Sequence, residues 1–332
     1  MIVAHANHLV SLGHNVSIAS TIIDTVFTLD SRVLLNQLPS TTKLGTILGT
    51  VINRLDADLI IADIIPMACF LFLRYRRKVV YFAQDYDEAY YTSPFLKELI
   101  RLFYFVGLNI FHIPTVAVSY SLAILLRNQF NSAVYVAENG IDTKVFYPDP
   151  DPELVASKGD SKAVLLLSRN DQRKGFDIAR AVIGRLQKNN TTMFEVWTVG
   201  EKCFGVFEKV VHRDFGYVEE ARLRKIMSSA NLFLYPTRHE GFGLMPLEAL
   251  ACCCPVVTTE AVVFASHLEN SLVAEIENVK QISDLTELSL TDAAIVEHIT
   301  VQGVCTAKKL SLDRTVEQFV SALTIIYGRG QR

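Results

Sequence analysis

A chain of 332 residues, half of them hydrophobic and one fifth charged, has the size of two ordinary domains and the balance of a globular protein. Its formal net charge of −3 offers no electrostatic basis for binding nucleic acid, so no such partner is expected. No apolar run reaches the about 18 residues of a membrane span, and no charged-then-apolar start suggests a secretory leader.

Six cysteines are present, at Cys69, Cys203, Cys252, Cys253, Cys254 and Cys305. Three neighbours in an apolar stretch cannot build a disulfide framework, and no two Cys-x-x-Cys pairs exist for a metal. Small buried thiols in a reducing compartment are expected, hence the cytoplasm.

In chain order, Met1 to Leu12 has Val3, Ala6, Leu9 and Val10 at helical spacing and stops at Gly13. Asn15 to Ser20 reads as a strand and, after a loosely patterned segment, Thr42 to Asn53 as a helix. Leu59 to Ile65 is an apolar strand. Met67 to Tyr75 then reads as a helix and Lys78 to Ala83 as a strand; helices at Phe95 to Phe105 and Leu122 to Phe130 alternate with strands at Thr115 to Ser119 and Ala133 to Ala137. Strands apolar on both faces and separated by helices predict a parallel sheet covered on both sides, a Rossmann-like half.

Gln84 to Glu88 follows a buried strand, where ligands of open α/β sheets collect. Asp85 is there a candidate ligand contact, with a helix N-cap as the plainer reading. The Asp85-x-Asp87 spacing suits a divalent cation, but with the anion-binding features in the other half no metal is expected. Asn139-Gly140 demands a turn, and Tyr147 to Asp160, with Pro148, Pro150 and Pro152 among acids, reads as a linker. Domains are therefore expected at 1–150 and 151–332.

The second half opens with a strand at Ala163 to Leu167 and a polar loop running from Ser168 to Gly175. Arg169 and Lys174 in that loop suit a pair of phosphates, one as a fork and the other as a point charge; Arg173 reads as a neighbour facing solvent. A helix over Phe176 to Leu186, a strand over Phe194 to Val199 ending at Gly200, and a helix over Glu220 to Ser229 follow. The most informative stretch is Leu232 to Val257: a buried strand to Tyr235, a loop closed by Gly241 and Gly243, a helix from about Leu244 to Cys253 with Pro246 in its first turn, and a strand entered through Pro255. Between Gly241 and Thr259 the one charged residue is Glu248. A lone carboxylate in a helix apolar all round is costly unless something hydrogen-bonds it, and a ligand is the natural candidate. Glu240 stands at the mouth of the loop, and the helix N-terminus after it favours an anion. Together these are the parts of a nucleotide-sugar site. Beyond it, Leu272 to Ala274 suggests a last strand, and Ile282 to Leu288, Ala293 to Ile299 and Thr315 to Tyr327 read as helices, the last long enough to cross back.

Arg238-His239-Glu240-Gly241-Phe242-Gly243-Leu244-Met245-Pro246-Leu247-Glu248, continuing to Val257, resembles the signature of the large family of retaining glycosyltransferases, group 1, that includes mannosyl- and rhamnosyltransferases and sucrose synthases. Cys253 stands where that family usually has glycine. The resemblance implies the GT-B fold, two Rossmann-like domains with parallel sheets facing a central cleft, with the first strand and glycine-rich turn of the N-terminal domain apparently missing here. It further implies that Glu240 holds the donor sugar, Glu248 the ribose, and Arg169 with Lys174 the diphosphate. Gly241, Phe242, Gly243, Leu244 and Gly200 would lie against the donor, and Asp214 to Val218 beside its base. Gln84 takes a position where relatives often carry histidine.

The expected activity is transfer of a hexose from a nucleoside diphosphate sugar to a glycan or lipid-linked acceptor, with retention, in the making of cell-surface polysaccharide. No cofactor is expected, and peripheral association with the inner face of a membrane is left open. His239 is expected to shape the loop, and His5, His8 and His112 to lie in core or solvent. Two alternatives stand beside this: a sugar-nucleotide epimerase on the same fold, and a non-catalytic remnant that binds nucleotide-sugar.

Overall fold

In this computed structural model, which describes residues 1–20, 29–38, 45, 49, 55–130, 132–189, 192–203, 207 and 209–330, every described strand pairs in parallel. That follows from strands that are apolar on both faces and joined by helices. The chain divides into two compact units, residues 1–139 with 312–332 and residues 140–311. The division falls at residue 139 rather than near 150, and the last helix returns to the first unit.

The first unit starts with α1 (Ile2–Ser11), β1 (Ser17–Ser20) and β2 (Leu34–Gln37). It continues through β3 (Ile60–Ala62), α2 (Ile65–Tyr75), β4 (Val79–Ala83), α3 (Pro94–Tyr104), β5 (Thr115–Ala117), α4 (Tyr120–Gln129) and β6 (Val134–Val136). All five residues of β4 are buried, as a central strand of this kind requires. The single sheet expected here is divided: β3-β4-β5-β6 form one sheet and β1-β2 a separate pair. Ser17-Ile18-Ala19-Ser20 and the fully exposed Leu34-Leu35-Asn36-Gln37 hold too few apolar residues to be covered on both faces. The helix expected over residues 42–53 lies outside the described residues, apart from two isolated positions.

The second unit contains α5 (Pro152–Lys158), β7 (Lys162–Ser168), α6 (Phe176–Asn189), β8 (Phe194–Gly200), β9 (His212–Asp214), α7 (Glu220–Ser229) and β10 (Leu232–Tyr235). After these come α8 (Leu244–Ala251), β11 (Val256–Thr259), β12 (Leu272–Ala274), α9 (Val279–Thr291) and α10 (Ala293–Lys309), and α11 (Leu312–Gly330) ends the chain's described part. The segment expected to be a linker is instead packed structure. Asp151 caps α5, accepting from Glu153 and Leu154 N–H at 2.9 and 3.3 Å, and pairs with Arg222; Asp149 pairs with Arg224 at 3.0 Å. The acids and prolines that suggested a linker are a helix start and two ion-pair partners.

The sheet of this unit has the order β12-β11-β10-β7-β8-β9. From β7 the chain steps outward through β8 to β9, then returns to β10 and steps the other way. The reversal lies between β7 and β10, and ligands of open α/β sheets bind outside the carboxyl ends of strands at such a point. Val164, Leu166, Val196, Leu232, Leu234 and Val257 fill the core beneath it.

Candidate functional site

The loops that leave β7 and β10 at their carboxyl ends are stitched together. Arg238 N–H and the Thr237 hydroxyl both donate to the Arg173 carbonyl, at 2.7 and 2.8 Å. Asp171 accepts the Arg173 N–H at 3.1 Å and so closes a single tight turn over Gln172–Lys174. From that turn Lys174 reaches Glu240, its Nζ 2.7 Å from Oε1. Tyr235 Oη donates to the same oxygen at 2.6 Å, and Thr237 Oγ1 lies 3.1 Å from it.

Lys174 and Tyr235 thus fix one oxygen of Glu240, with the Thr237 hydroxyl, whose one proton is directed at the closer Arg173 carbonyl, beside it, while Oε2 has no partner among the described residues and stays open to accept. Burial, followed by the Glu240 charge beside it, holds the Tyr235 phenol well above its ordinary pKa, so it remains a donor. Arg169 is exposed just past the end of β7, and its charge acts on the same phenol in the opposite sense. Of the expected site residues, Lys174 and Glu240 are in direct contact. Arg173 turns away to Asp171 at 2.6 Å.

Glu248 sits apart from that group, five residues into the chain after Gly243. It is half-buried, has no hydrogen-bond or ion-pair partner among the described residues, and burial together with the Glu220 charge raises its carboxyl from 4.5 to about 7. Gly243 takes a left-handed backbone, φ 101°, at the N-cap of α8, and no side chain caps the helix. A β-carbon there would meet Val262 Cγ1 at 2.9 Å, so glycine is required both by φ and by space. The first N–H groups of α8 are left for an outside acceptor.

Residues 161–292 match the family described as glycosyl transferases group 1. That match lies wholly within the second unit. The chain is similar to O-antigen chain mannosyltransferase B of Escherichia coli, 33% identical over 115 residues, which are 34% of this chain and 30% of that protein. The chain spans about a third of the length of the curated relatives it matches. Over the whole chain the fold is that of sucrose-phosphate synthase from Thermosynechococcus elongatus, with a TM-score of 0.83 at 16% identity over 98% of this chain and 92% of that one. Anabaena HepE, solved in complex with UDP-glucose, gives 0.72 at 16% identity over 88% and 86%. The architecture is GT-B, as the sequence implied.

Other expected contacts of the site fall differently. Phe242 is buried against Phe264, with ring centroids 5.5 Å apart, so its side chain belongs to the core and only its backbone can face a ligand. At Gly200, φ 110°, a β-carbon would lie 2.5 Å from the Ser168 carbonyl oxygen, so the close approach of β8 to the end of β7 requires glycine. Gly241 and Leu244 are half-buried on the loop and at the helix start. α8 ends at Ala251, two residues before the expected Cys253, which adopts φ 59° beyond the helix.

Asp85 lies in the first unit at the end of β4, buried, with its Oδ1 accepting Tyr86 N–H at 2.8 Å, and it caps no helix. The capping carboxylate is Asp87, which accepts Ile65 N–H at the start of α2 at 2.8 Å and is pushed by burial to about 7. A depression of about 340 Å³ on the same unit, between Tyr135 and Gln318, contains none of the expected site residues. Tyr235 and Thr237 were missed. For Tyr235, a hydroxyl at the last position of an otherwise apolar strand was the available signal.

Proposed function

We propose that the protein transfers a hexose from a nucleoside diphosphate sugar to a glycan or lipid-linked acceptor, with retention at the anomeric carbon. The observation that carries this is the Glu240 carboxylate, one oxygen held by Lys174 and Tyr235 and the other open. A carboxylate fixed in that way offers a preorganised acceptor to sugar hydroxyls. Lys174 spends one of its three N–H donors on Glu240 and keeps two for phosphate, and Arg169 adds a planar fork beside it. The uncapped start of α8 supplies backbone donors to the same diphosphate. Glu248, unpartnered and largely withdrawn from water, is assigned to the two ribose hydroxyls.

In the reaction the bond from the anomeric carbon to the diphosphate oxygen breaks, and charge grows on the leaving group, where Arg169, Lys174 and the helix start neutralise it without a metal. The acceptor hydroxyl attacks from the face the diphosphate leaves, and its proton passes to a departing phosphate oxygen. No side chain of the site is placed as a nucleophile. The synthesis of cell-surface polysaccharide in a reducing, cytoplasmic setting, at the inner face of a membrane, completes the reading; the six unpaired cysteines, four of them buried, support the compartment.

The test is sugar transfer by Glu240→Ala and Glu248→Ala. Glu240→Ala is expected to abolish transfer with the fold intact, and Glu248→Ala chiefly to weaken donor binding. Undiminished turnover in both variants overturns the assignment.

A further inference from the structure

Arg238 stands two residues before Glu240, and its side chain is only 25% exposed. Four of its five N–H donors have partners among the described residues. Nε donates to Glu277 Oε1 at 2.7 Å. One terminal nitrogen donates to the Gln172 carbonyl at 2.6 Å and to Asp177 Oδ1 at 2.8 Å, and the other to Asp177 Oδ2 at 2.7 Å. A single N–H remains, so Arg238 is not equipped to fork onto a phosphate.

These contacts join three segments at the carboxyl end of the sheet. Gln172 opens the tight turn after β7, whose last residue is Lys174. Asp177 lies in the first turn of α6, and Glu277 follows β12, just before Asn278 caps α9. The main chain presses on the same seam: a β-carbon on Gly175, φ 68°, would lie 1.9 Å from the Pro236 carbonyl oxygen, so the turn and the loop after β10 touch with no room between them. Glu277 takes φ 64°, a left-handed backbone uncommon for a residue with a β-carbon, so the fold constrains this acid where Arg238 meets it. Exposed acids paired with one arginine ordinarily contribute little. Here a planar fork takes both oxygens of Asp177 and also reaches a main-chain carbonyl, a geometry that lysine cannot reproduce.

We propose that Arg238 is a positioning residue for sugar transfer: it clamps the Gln172–Lys174 turn against the loop of Glu240 and so fixes the register in which Lys174 meets Glu240. The role rests on the sugar-transfer reading. Lys174 is two residues from the Gln172 carbonyl that the guanidinium holds, and Glu240 is two residues from Arg238 itself, so one side chain anchors both carriers of the 2.7 Å contact. A lysine left to swing still attracts the diphosphate of the bound donor as a point charge. Charge that grows on the leaving group is stabilised best by a group already in place, and a misplacement of about 1 Å costs on the order of a hundredfold in rate. The effect of Arg238 therefore falls on kcat, while Glu248 and the start of α8 keep the donor bound.

The experiment measures release of nucleoside diphosphate, with water as the acceptor, from a panel of UDP-, GDP-, ADP- and dTDP-hexoses. It compares the whole protein with Arg238→Gln, with Arg238→Lys, and with the pair Asp177→Asn and Glu277→Gln. Active sites are counted by calorimetric titration with the donor, so misfolded molecules do not enter kcat. Arg238→Gln is expected to lower kcat about tenfold or more and to leave the donor KM within about threefold. Arg238→Lys keeps the charge without the fork and is expected to recover at most part of that loss. The acid pair leaves Arg238 in place and is expected to lower kcat about threefold or more at unchanged KM. Should Arg238→Gln fail to fold, the acid pair carries the test. Unchanged kcat overturns the role, as does full recovery by lysine, which would reduce it to charge. So does a raised donor KM at unchanged kcat, which would make Arg238 a ligand of the donor. Release from none of the donors by the unaltered protein overturns the sugar-transfer reading itself, and this role with it.

Discussion

Glu240 and Glu248 lie eight residues apart and the fold gives them opposite environments. The first is held in place by charge and hydroxyls, so its partners are expected to matter almost as much as the carboxylate. Tyr235→Phe removes one hydrogen bond to a charged acceptor, an interaction of about 1.5–3 kcal/mol, and is expected to lower turnover about tenfold or more while leaving the fold intact. Steady-state kinetics check this, and unchanged turnover would make Tyr235 a bystander. The role of Tyr235 was hidden in the sequence because an aromatic that ends a buried strand reads as core, which most of its ring is. Glu248 has no such support. Its folded carboxyl titrates at about 7 against 4.5 in an ordinary setting, so protonation stabilises the ligand-free protein at acid pH and that contribution is lost as pH rises between those values. Donor hydroxyls prefer the carboxylate, so binding is expected to expel a proton near pH 6 and to strengthen with pH up to about 7. Titration calorimetry in buffers of different ionisation enthalpy reads this directly; zero proton release at that pH would place the ribose elsewhere.

The elements most legible in the sequence were those where several signals agreed. The Leu232–Tyr235 strand, the two glycines and the helix opened by Leu244, Met245 and Pro246 all stand where the pattern placed them, because an apolar run, a positive-φ turn and a first-turn proline each permit few alternatives. Others were misread for physical reasons. In α10 the polar Gln302 and Gly303 interrupt the apolar period, so a helix expected to end at Ile299 runs on to Lys309. The Pro152 segment has the composition of a linker, and partners about seventy residues away in sequence, Arg222, Arg224, Ser228 and Ser229, make it structure. The end of α8 is a third case. Cys253 lies beyond the helix at φ 59°, the left-handed position that glycine fills without strain. Cys253→Gly is expected to stabilise the protein by about 0.5–1 kcal/mol, read as a raised midpoint of thermal unfolding; a lowered midpoint would mean that the thiol contributes more than its backbone costs.

On the scale of the whole molecule, the two units differ in how far sequence alone described them. The second was more legible, since six parallel strands with one reversal of order leave one natural place for a ligand, and Lys174 and Glu240 meet there. In the first, Asp85 was singled out where Asp87 proved to be the capping group, and the side of α3 that exposes Phe95 and Leu102 passed for part of a core helix. Periodicity reports that a residue is apolar, not which apolar side meets water. The central claim is that the second unit grips a nucleoside diphosphate sugar through the loops after β7 and β10. Its most direct test is thermal unfolding of the protein against a panel of such donors. At about 100 times its Kd the right donor should add about 2.7 kcal/mol, and Arg169→Ala with Lys174→Ala should remove that gain. A panel that leaves the unaltered protein unmoved, or a gain that survives the double substitution, would contradict the account.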